Sequence, residues 1–365
     1  MKVLLLGEYS SLHYNLAIGL KKLGMDVTLA STGDGWKNVP RDIDLKQPKK
    51  LKHLLFALKI IKTLPKLIGY DIVQLIAPNY LVTSPLFCRI HFNILKRFNP
   101  NIFMCATGMD YFYVNKALKQ ELKYSIFYIS DAASNMHVKS LKSFATAPSI
   151  KKLNIITSNH CKGIIATSTG YHKAYIDHYP DKTIYIPLPI DTNKYKFTSS
   201  INPETKKIKF LLGLMKDRVK LKGTDRIKKV LELLKEKYPN EVELTIVDSV
   251  PFEEYVHLVN NSHILCDQLY AYGIGMNGLI AQSKGLIVGG GADEEMYNSL
   301  GEDNNKPILD LNTSNEEMLK TFEKIIENKR KLVQQAHKSR EFVVKHHDCE
   351  KVAQQYLTFW KSKIS

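Results

Sequence analysis

Short apolar runs alternate with amphipathic stretches along this chain, and the alternation starts twice. Val3 to Leu6 reads as a buried strand that stops at Gly7. An amphipathic stretch from Leu12 to Leu23, then Gly24, then the apolar run Val27 to Ala30 completes a strand–helix–strand unit. Further strands are expected at Ile72 to Ile76, Ile102 to Cys105, Ile164 to Thr167 and Thr183 to Ile186. Strands separated by helical stretches predict a parallel, doubly wound α/β sheet. Pro187-Leu-Pro189-Ile-Asp191 breaks the pattern, and the polar run Thr198 to Lys206 reads as linker. A second round starts at Ile208, with strands expected at Ile208 to Leu212, Val242 to Val247, Ile264 to Asp267 and Leu286 to Val288. Its helices are expected near Thr224–Lys237, Phe252–Asn260 and Met276–Lys284, and Ser314-Asn-Glu-Glu317 is a capping box opening another. The expected organisation is two tandem Rossmann-like domains, 1–190 and 207–348, joined by a linker, 191–206. A final helix, 349–365, is expected to pack back on the first domain.

Composition changes the picture in one respect. Hydrophobic content of 44% and charged content of 24% are those of a folded globular protein and exclude a disordered chain. The net charge of +16, however, is unevenly spread. Residues 1–200 carry 27 basic and 12 acidic side chains, and residues 201–365 carry 25 and 24. A basic first half beside a neutral second half implies a polyanionic surface facing the first half alone. The five cysteines are scattered without ligand spacing, which predicts buried thiols in a reducing compartment. The apolar start is too short for a signal peptide, and no apolar stretch is long enough to span a bilayer, so a cytoplasmic protein is expected.

The candidate chemistry lies in the second half. Arg218-Val-Lys-Leu-Lys222-Gly223-Thr224 follows an apolar strand and places the cation pair Arg218 and Lys222, with Lys220 between them, just before a helix. Gly273-Ile-Gly275-Met276-Asn277 follows another strand and opens a second helix, so its backbone N–H groups can meet phosphate oxygens. Cations and a helix N-terminus are what a diphosphate leaving group needs as its charge develops. In the first half, Glu8-Tyr-Ser10-Ser11-Leu-His13 lies at the carboxyl edge of the first strand, where doubly wound folds bind ligands. His13 there either orients a ligand hydroxyl or is a solvated helix-start histidine. Asp110, after the strand Ile102 to Cys105, is similarly placed. His160, His172 and the pair His346-His347 lack metal-ligand spacing and read as solvated.

Two such halves with a KG-T-D motif in the second resemble the GT-B glycosyltransferases, most closely retaining glycosyltransferase family 4 of the polysaccharide-assembly type. The likeness runs over nearly the whole chain. It is strongest at 207–300 and in Ser339-Arg-Glu-Phe, His346-His347-Asp348 and Val352-Ala-Gln-Gln-Tyr356, a tail like that of bacterial members. The resemblance implies an interdomain cleft, a nucleotide-diphosphate sugar donor, a glycan or lipid-linked acceptor, retention of configuration, and no metal or other cofactor. It implies that Arg218 and Lys222 grip the diphosphate. Donor contacts are expected from Gly213, Val250, Asp267, Tyr272, Gly273, Gly275, Met276, Asn277, Glu294 and Glu295, and cleft contacts from Gly7, Ser10, Ser11, His13 and Asp110. The chain departs from the family where two glutamates eight positions apart are usual, for Tyr272 and Ile280 stand there. Either the donor contacts have moved or the chain is an inactive relative acting as a binding partner. A sugar-nucleotide epimerase is a further alternative on the same fold.

Residues 45–70 hold seven lysines and no carboxylate among leucines and isoleucines. On a helix, Lys52, Lys59, Lys62 and Lys66 form one stripe, and with Lys49 and Lys50 they resemble the membrane-facing surface of enzymes with lipid-linked acceptors. An anionic membrane surface, at the inner face of the cell membrane, is the expected partner. The lysines alternate with aliphatics and not with stacking aromatics, which argues against nucleic acid.

Overall fold

The computed structural model describes residues 1–47, 52–129, 131–248, 250 and 252–364. The chain packs as two units. One comprises Met1–Leu122, Lys139–Asp191 and Cys349–Ser365, the other Lys123–Val138 and Thr192–Asp348.

The first unit is built on a parallel sheet of seven strands: β1 (Lys2–Leu6), β2 (Asp26–Ser31), β3 (Ile43–Asp44), β4 (Ile72–Leu75), β5 (Ile102–Ala106), β6 (Gly163–Ala166) and β7 (Thr183–Tyr185). Their order is β3-β2-β1-β4-β5-β6-β7, so the chain reverses direction across the sheet between β1 and β4. The connections carry α1 (Leu12–Lys22), α2 (Lys52–Thr63), α3 (Pro85–Phe98), α4 (Tyr111–Leu118), α5 (Met136–Thr146), α6 (Pro148–His160) and α7 (Thr169–Ile176). Strands β4, β5 and β6 are buried on both faces, which is why they read as continuous apolar runs.

The last helix, Cys349–Ile364, completes this unit. Trp360 is fully buried, its ring packed against Tyr356 and Phe103, and its indole N–H donates to Gln74 Oε1 at 3.0 Å. That bond explains a glutamine in the middle of buried β4, where an unpartnered amide would destabilise the sheet. Gly19 of α1 lets the two backbones touch, since a Cβ there would lie 2.0 Å from the Cys349 carbonyl oxygen.

The second unit has five parallel strands: β8 (Ile208–Leu214), β9 (Val242–Asp248), β10 (Ile264–Cys266), β11 (Ile287–Gly290) and β12 (Leu309–Asp310). Their order is β12-β11-β10-β8-β9. Its helices are α8 (Val219–Lys222), α9 (Thr224–Lys237), α10 (Phe252–Asn260), α11 (Met276–Ser283), α12 (Glu294–Leu300), α13 (Asn315–Glu327) and α14 (Leu332–His346), and Cys349–Ile364 is α15. Ser314 caps α13 as the capping box requires, its hydroxyl accepting from the Glu317 N–H at 3.2 Å.

Two boundaries differ from the sequence expectation. The chain leaves the first unit at Asp191, and 192–206 is not a free linker but packs on the second unit. Ile201 lies in that unit's core, the Thr198 N–H donates to Lys284 O, and Phe197 stacks on His337 at 4.8 Å. The segment Lys123–Val138, expected within the first domain, belongs to the second unit. The tail histidines also differ. His346 and His347 are buried, not solvated, against Phe342, and His346 Nε2 lies 2.7 Å from Glu302.

Candidate functional site

In the second sheet the chain switches sides between β8 and β10, so the loops after these strands part and open the carboxyl edge. Lys222 and Asp267 meet there, with Nζ 3.6 Å from a buried carboxylate oxygen. The local sequence explains the meeting. After β8 the chain makes a 3-10 turn (Lys216–Arg218) and the single turn α8, ended by Gly223 at φ +65°. The Leu269 N–H donates to Lys222 O at 2.7 Å, and the missing Cβ of Gly223 leaves room for the Leu269 side chain. The turn after β8 is thereby tied to the loop after β10. Arg218 is exposed at the end of the 3-10 turn.

The loop after β10 runs through Gly273 and Gly275 into α11. Gly275 is the N-cap and supplies no side-chain acceptor, so the first N–H groups of α11 keep their positive end. Gly275 lies beside Asp267 Oδ2, and Met276, half-buried, starts the helix. Two expected donor contacts are otherwise engaged. Asn277 Nδ2 donates to the Tyr255 hydroxyl at 2.6 Å, and the same ring of Tyr255 lies against Gly213. The buried Tyr272 hydroxyl accepts the Lys123 N–H, and the Tyr124 ring meets Tyr272 edge-on at 5.2 Å. Tyr255, Lys123 and Tyr124 were not flagged by the sequence; their partners lie at least 20 residues away, and no local pattern marks them.

Beyond this loop, Lys123, Asp293, Glu294, Glu295, Lys306 and Asp310 line part of a cavity of about 620 Å³. Glu294 pairs with Lys306, and Asp293 caps α12 through the Met296 N–H while lying 3.6 Å from Lys123. Burial raises the Asp310 carboxyl above its usual range. Val250 follows β9 and is half-buried. Among the described residues, no cluster of three His, Cys, Asp or Glu could hold a metal ion.

At the switch point of the first sheet, between β1 and β4, the loop after β1 is tightly built. Gly7, Ser10 and Ser11 all have positive φ, the Ser10 N–H donates to Asp34, and Lys37 reaches both Ser10 Oγ and Asp34. His13 is neither solvated nor open to a ligand. It is fully buried, with Nδ1 2.8 Å from Gly7 O, and burial lowers its pKa to about 3. Glu8 is buried beside it, accepting the Tyr14 N–H at 2.8 Å with one oxygen while the other has no partner, and burial raises its pKa to about 7. Asp110 is not available to a ligand hydroxyl either. One oxygen caps α4 through the Tyr113 N–H and the other accepts the Tyr175 hydroxyl at 2.6 Å, with burial raising its pKa to about 6.

The lysine stripe is interrupted. Lys49 and Lys50 lie outside the described residues, and Lys52 begins α2. Lys59 Nζ turns to Asp44 at 2.8 Å, and α2 ends at Thr63, so Lys66 belongs to a 3-10 turn and leaves the helical register. Lys62 and Lys66 are exposed. So are Leu58 and Ile61 of α2, at 54% and 64%, and Leu86 and Ile90 of α3, at 56% and 51%. Phe56 of α2 and Phe87 of α3 meet at 5.7 Å, which holds the two helices together. No described helix is long and apolar enough to cross a membrane.

Solved structures align with the chain end to end. A sucrose-phosphate synthase from Thermosynechococcus elongatus is 13% identical over 99% of this chain and 98% of its own, at a TM-score of 0.60. HepE of Anabaena, solved with UDP and glucose, is 14% identical over 99% of each chain, at 0.57. The two units in tandem have the GT-B fold. A putative UDP-N-acetylglucosamine 2-epimerase from Listeria monocytogenes aligns equally well, at 10% identity, 99% and 96% coverage and 0.57. The fold is therefore shared by enzymes with different reactions. No protein-family model and no curated protein matches the sequence.

Proposed function

We propose that this protein is a glycosyltransferase that moves a sugar from a nucleotide-diphosphate donor to a glycan or lipid-linked glycan. The observation that carries this reading is the cation Lys222, paired with Asp267 at the switch point of the second sheet, where the same carboxylate lies beside Gly275, the N-cap of α11. Both elements supply positive potential where a diphosphate gathers charge as the glycosidic bond breaks. Arg218, exposed on the turn before Lys222, is the second phosphate contact. The acceptor hydroxyl forms the new bond and its proton passes to the departing phosphate oxygen, on the same face, which retains configuration. HepE, solved with UDP and glucose, makes UDP-sugars the first donors to try. Lys222→Ala is expected to lower turnover about 100- to 1000-fold with the fold intact. Product formation from a panel of nucleotide sugars measures this, and unchanged turnover would remove the assignment.

The basic first half, with the exposed leucines and isoleucines of α2 and α3, supports peripheral attachment to an anionic membrane; a role in cell-surface polysaccharide synthesis rests on the sequence resemblance alone. One observation favours a second reading, a catalytically silent binding partner: the Tyr272 hydroxyl is spent on the Lys123 N–H and stands where related transferases hold a carboxylate. Nucleotide binding without turnover on any acceptor would favour it.

A further inference from the structure

The segment Lys123–Val138 is entered from the first unit and left to it, yet it packs as part of the second. Its anchors are side chains of the loops that carry the candidate donor site. Ile129 and Val138 bury themselves with Leu221 of α8, and Tyr270 of the loop after β10 packs on this cluster. Lys220 Nζ pairs with Asp131 at 2.7 Å. The Lys123 N–H and the Tyr124 ring both engage Tyr272. This strap therefore touches the turn after β8, the loop after β10 and, through Lys123 and Asp293, the loop after β11.

Where the strap ends on Tyr272, Lys123 reaches the mouth of the 620 Å³ cavity. The loop that forms this cavity interlocks with the Lys222 side of the edge, since Gly291 lies hard against Ala271 O and Gly273 against the Met296 sulfur. The cavity lining is unsuited to a diphosphate, because Asp293, Glu294, Glu295 and Asp310 outnumber its two lysines. It suits a ring bearing several hydroxyls. Carboxylates accept from hydroxyl groups, and an ammonium donates to hydroxyl or ring oxygens. The Lys123 side chain is 59% exposed, lies over the Tyr124 ring at 5.0 Å, and is free to turn from Asp293 towards a bound group.

We propose that the strap forms a wall of the donor site and that Lys123 contacts the glycosyl group, a task that Tyr272 has surrendered to become the strap's latch. The proposal rests on the donor reading above and separates from it experimentally. Phosphate contacts belong to the Lys222 side, whereas Lys123 sees only the sugar. The full chain is titrated by calorimetry with UDP, GDP and ADP and with their hexose conjugates. For Lys123→Ala, affinity for the free diphosphate stays within twofold of wild type, while affinity for the conjugate falls about tenfold, the loss of one charged hydrogen bond. Tyr272→Phe, which releases the latch without emptying the core, reproduces the selective loss and raises hydrogen exchange in 123–138. Equal binding of the conjugate by wild type and Lys123→Ala overturns the inference and leaves the donor reading standing. Parallel loss of diphosphate and conjugate also overturns it, since Lys123 would then serve the phosphates. Binding of no nucleotide by wild type removes both.

Discussion

Replacing Glu8 by glutamine tests the electrostatics of the first unit's switch point. Glu8 and His13 titrate in opposite senses within one buried loop. Glu8 keeps its proton in the fold up to about pH 7, against 4.5 when unfolded, so its contribution is full below pH 4.5 and is lost as pH rises to 7. His13 stays neutral in the fold down to about pH 3, against 6.5 when unfolded, so its contribution is full above 6.5 and is lost as pH falls. Between pH 4.5 and 6.5 the two slopes cancel, and the pair leaves stability level. Glutamine keeps an acceptor for the Tyr14 N–H but does not titrate. The variant should therefore gain on wild type by about 1.4 kcal/mol for each pH unit above 4.5, about 3 kcal/mol in all by pH 8. Both tryptophans of the chain, Trp36 and Trp360, fall in the first unit, so urea unfolding followed by indole fluorescence reads this unit alone. A difference between variant and wild type that stays constant from pH 4.5 to 8 would refute the reasoning.

Three further outcomes follow from the geometry. Trp360→Phe strips Gln74 Oε1 of its donor and should cost the first unit about 1–3 kcal/mol in urea unfolding; an unshifted midpoint would show the bond to be dispensable. Gly19→Ala forces a methyl against the Cys349 carbonyl and should cost about 1–3 kcal/mol while exposing α15 to protease, whereas wild-type resistance would mean the backbones can part freely. Wild-type protein should pellet with anionic liposomes at low salt and Leu58→Asp/Ile61→Asp should not; equal pelleting with neutral lipid would defeat the membrane reading.

The doubly wound plan was legible because each strand buried on both faces, such as β5 or β10, is a short apolar run between helical stretches. The bounds of α9 could be read from Gly223 on one side and the end of the amphipathic repeat on the other. Two-residue strands such as β3 and β12 carry no periodicity and exist only because a neighbouring strand offers hydrogen bonds. The strap was illegible for a related reason. Its apolar residues Ile129 and Val138 look like any first-domain loop until Leu221, over 80 positions away, is placed beside them. Of the candidate site, Lys222, Asp267 and Gly275 could be reached from strand–loop–helix spacing. What spacing cannot give is whether a polar side chain at a loop is already satisfied. Asp110 and Asn277 are, by Tyr175 and Tyr255, and His13 is simply sealed in.

Because α15 fills the first unit's core with Trp360, a nascent chain has no complete first unit until its last helix has emerged. The second unit, whose remaining pieces span Thr192–Asp348, is available earlier and can mature while the seven-stranded sheet still waits. Synthesis order and assembly order are therefore inverted, and a released chain truncated after residue 348 should show a protease-resistant second unit beside an unfinished first.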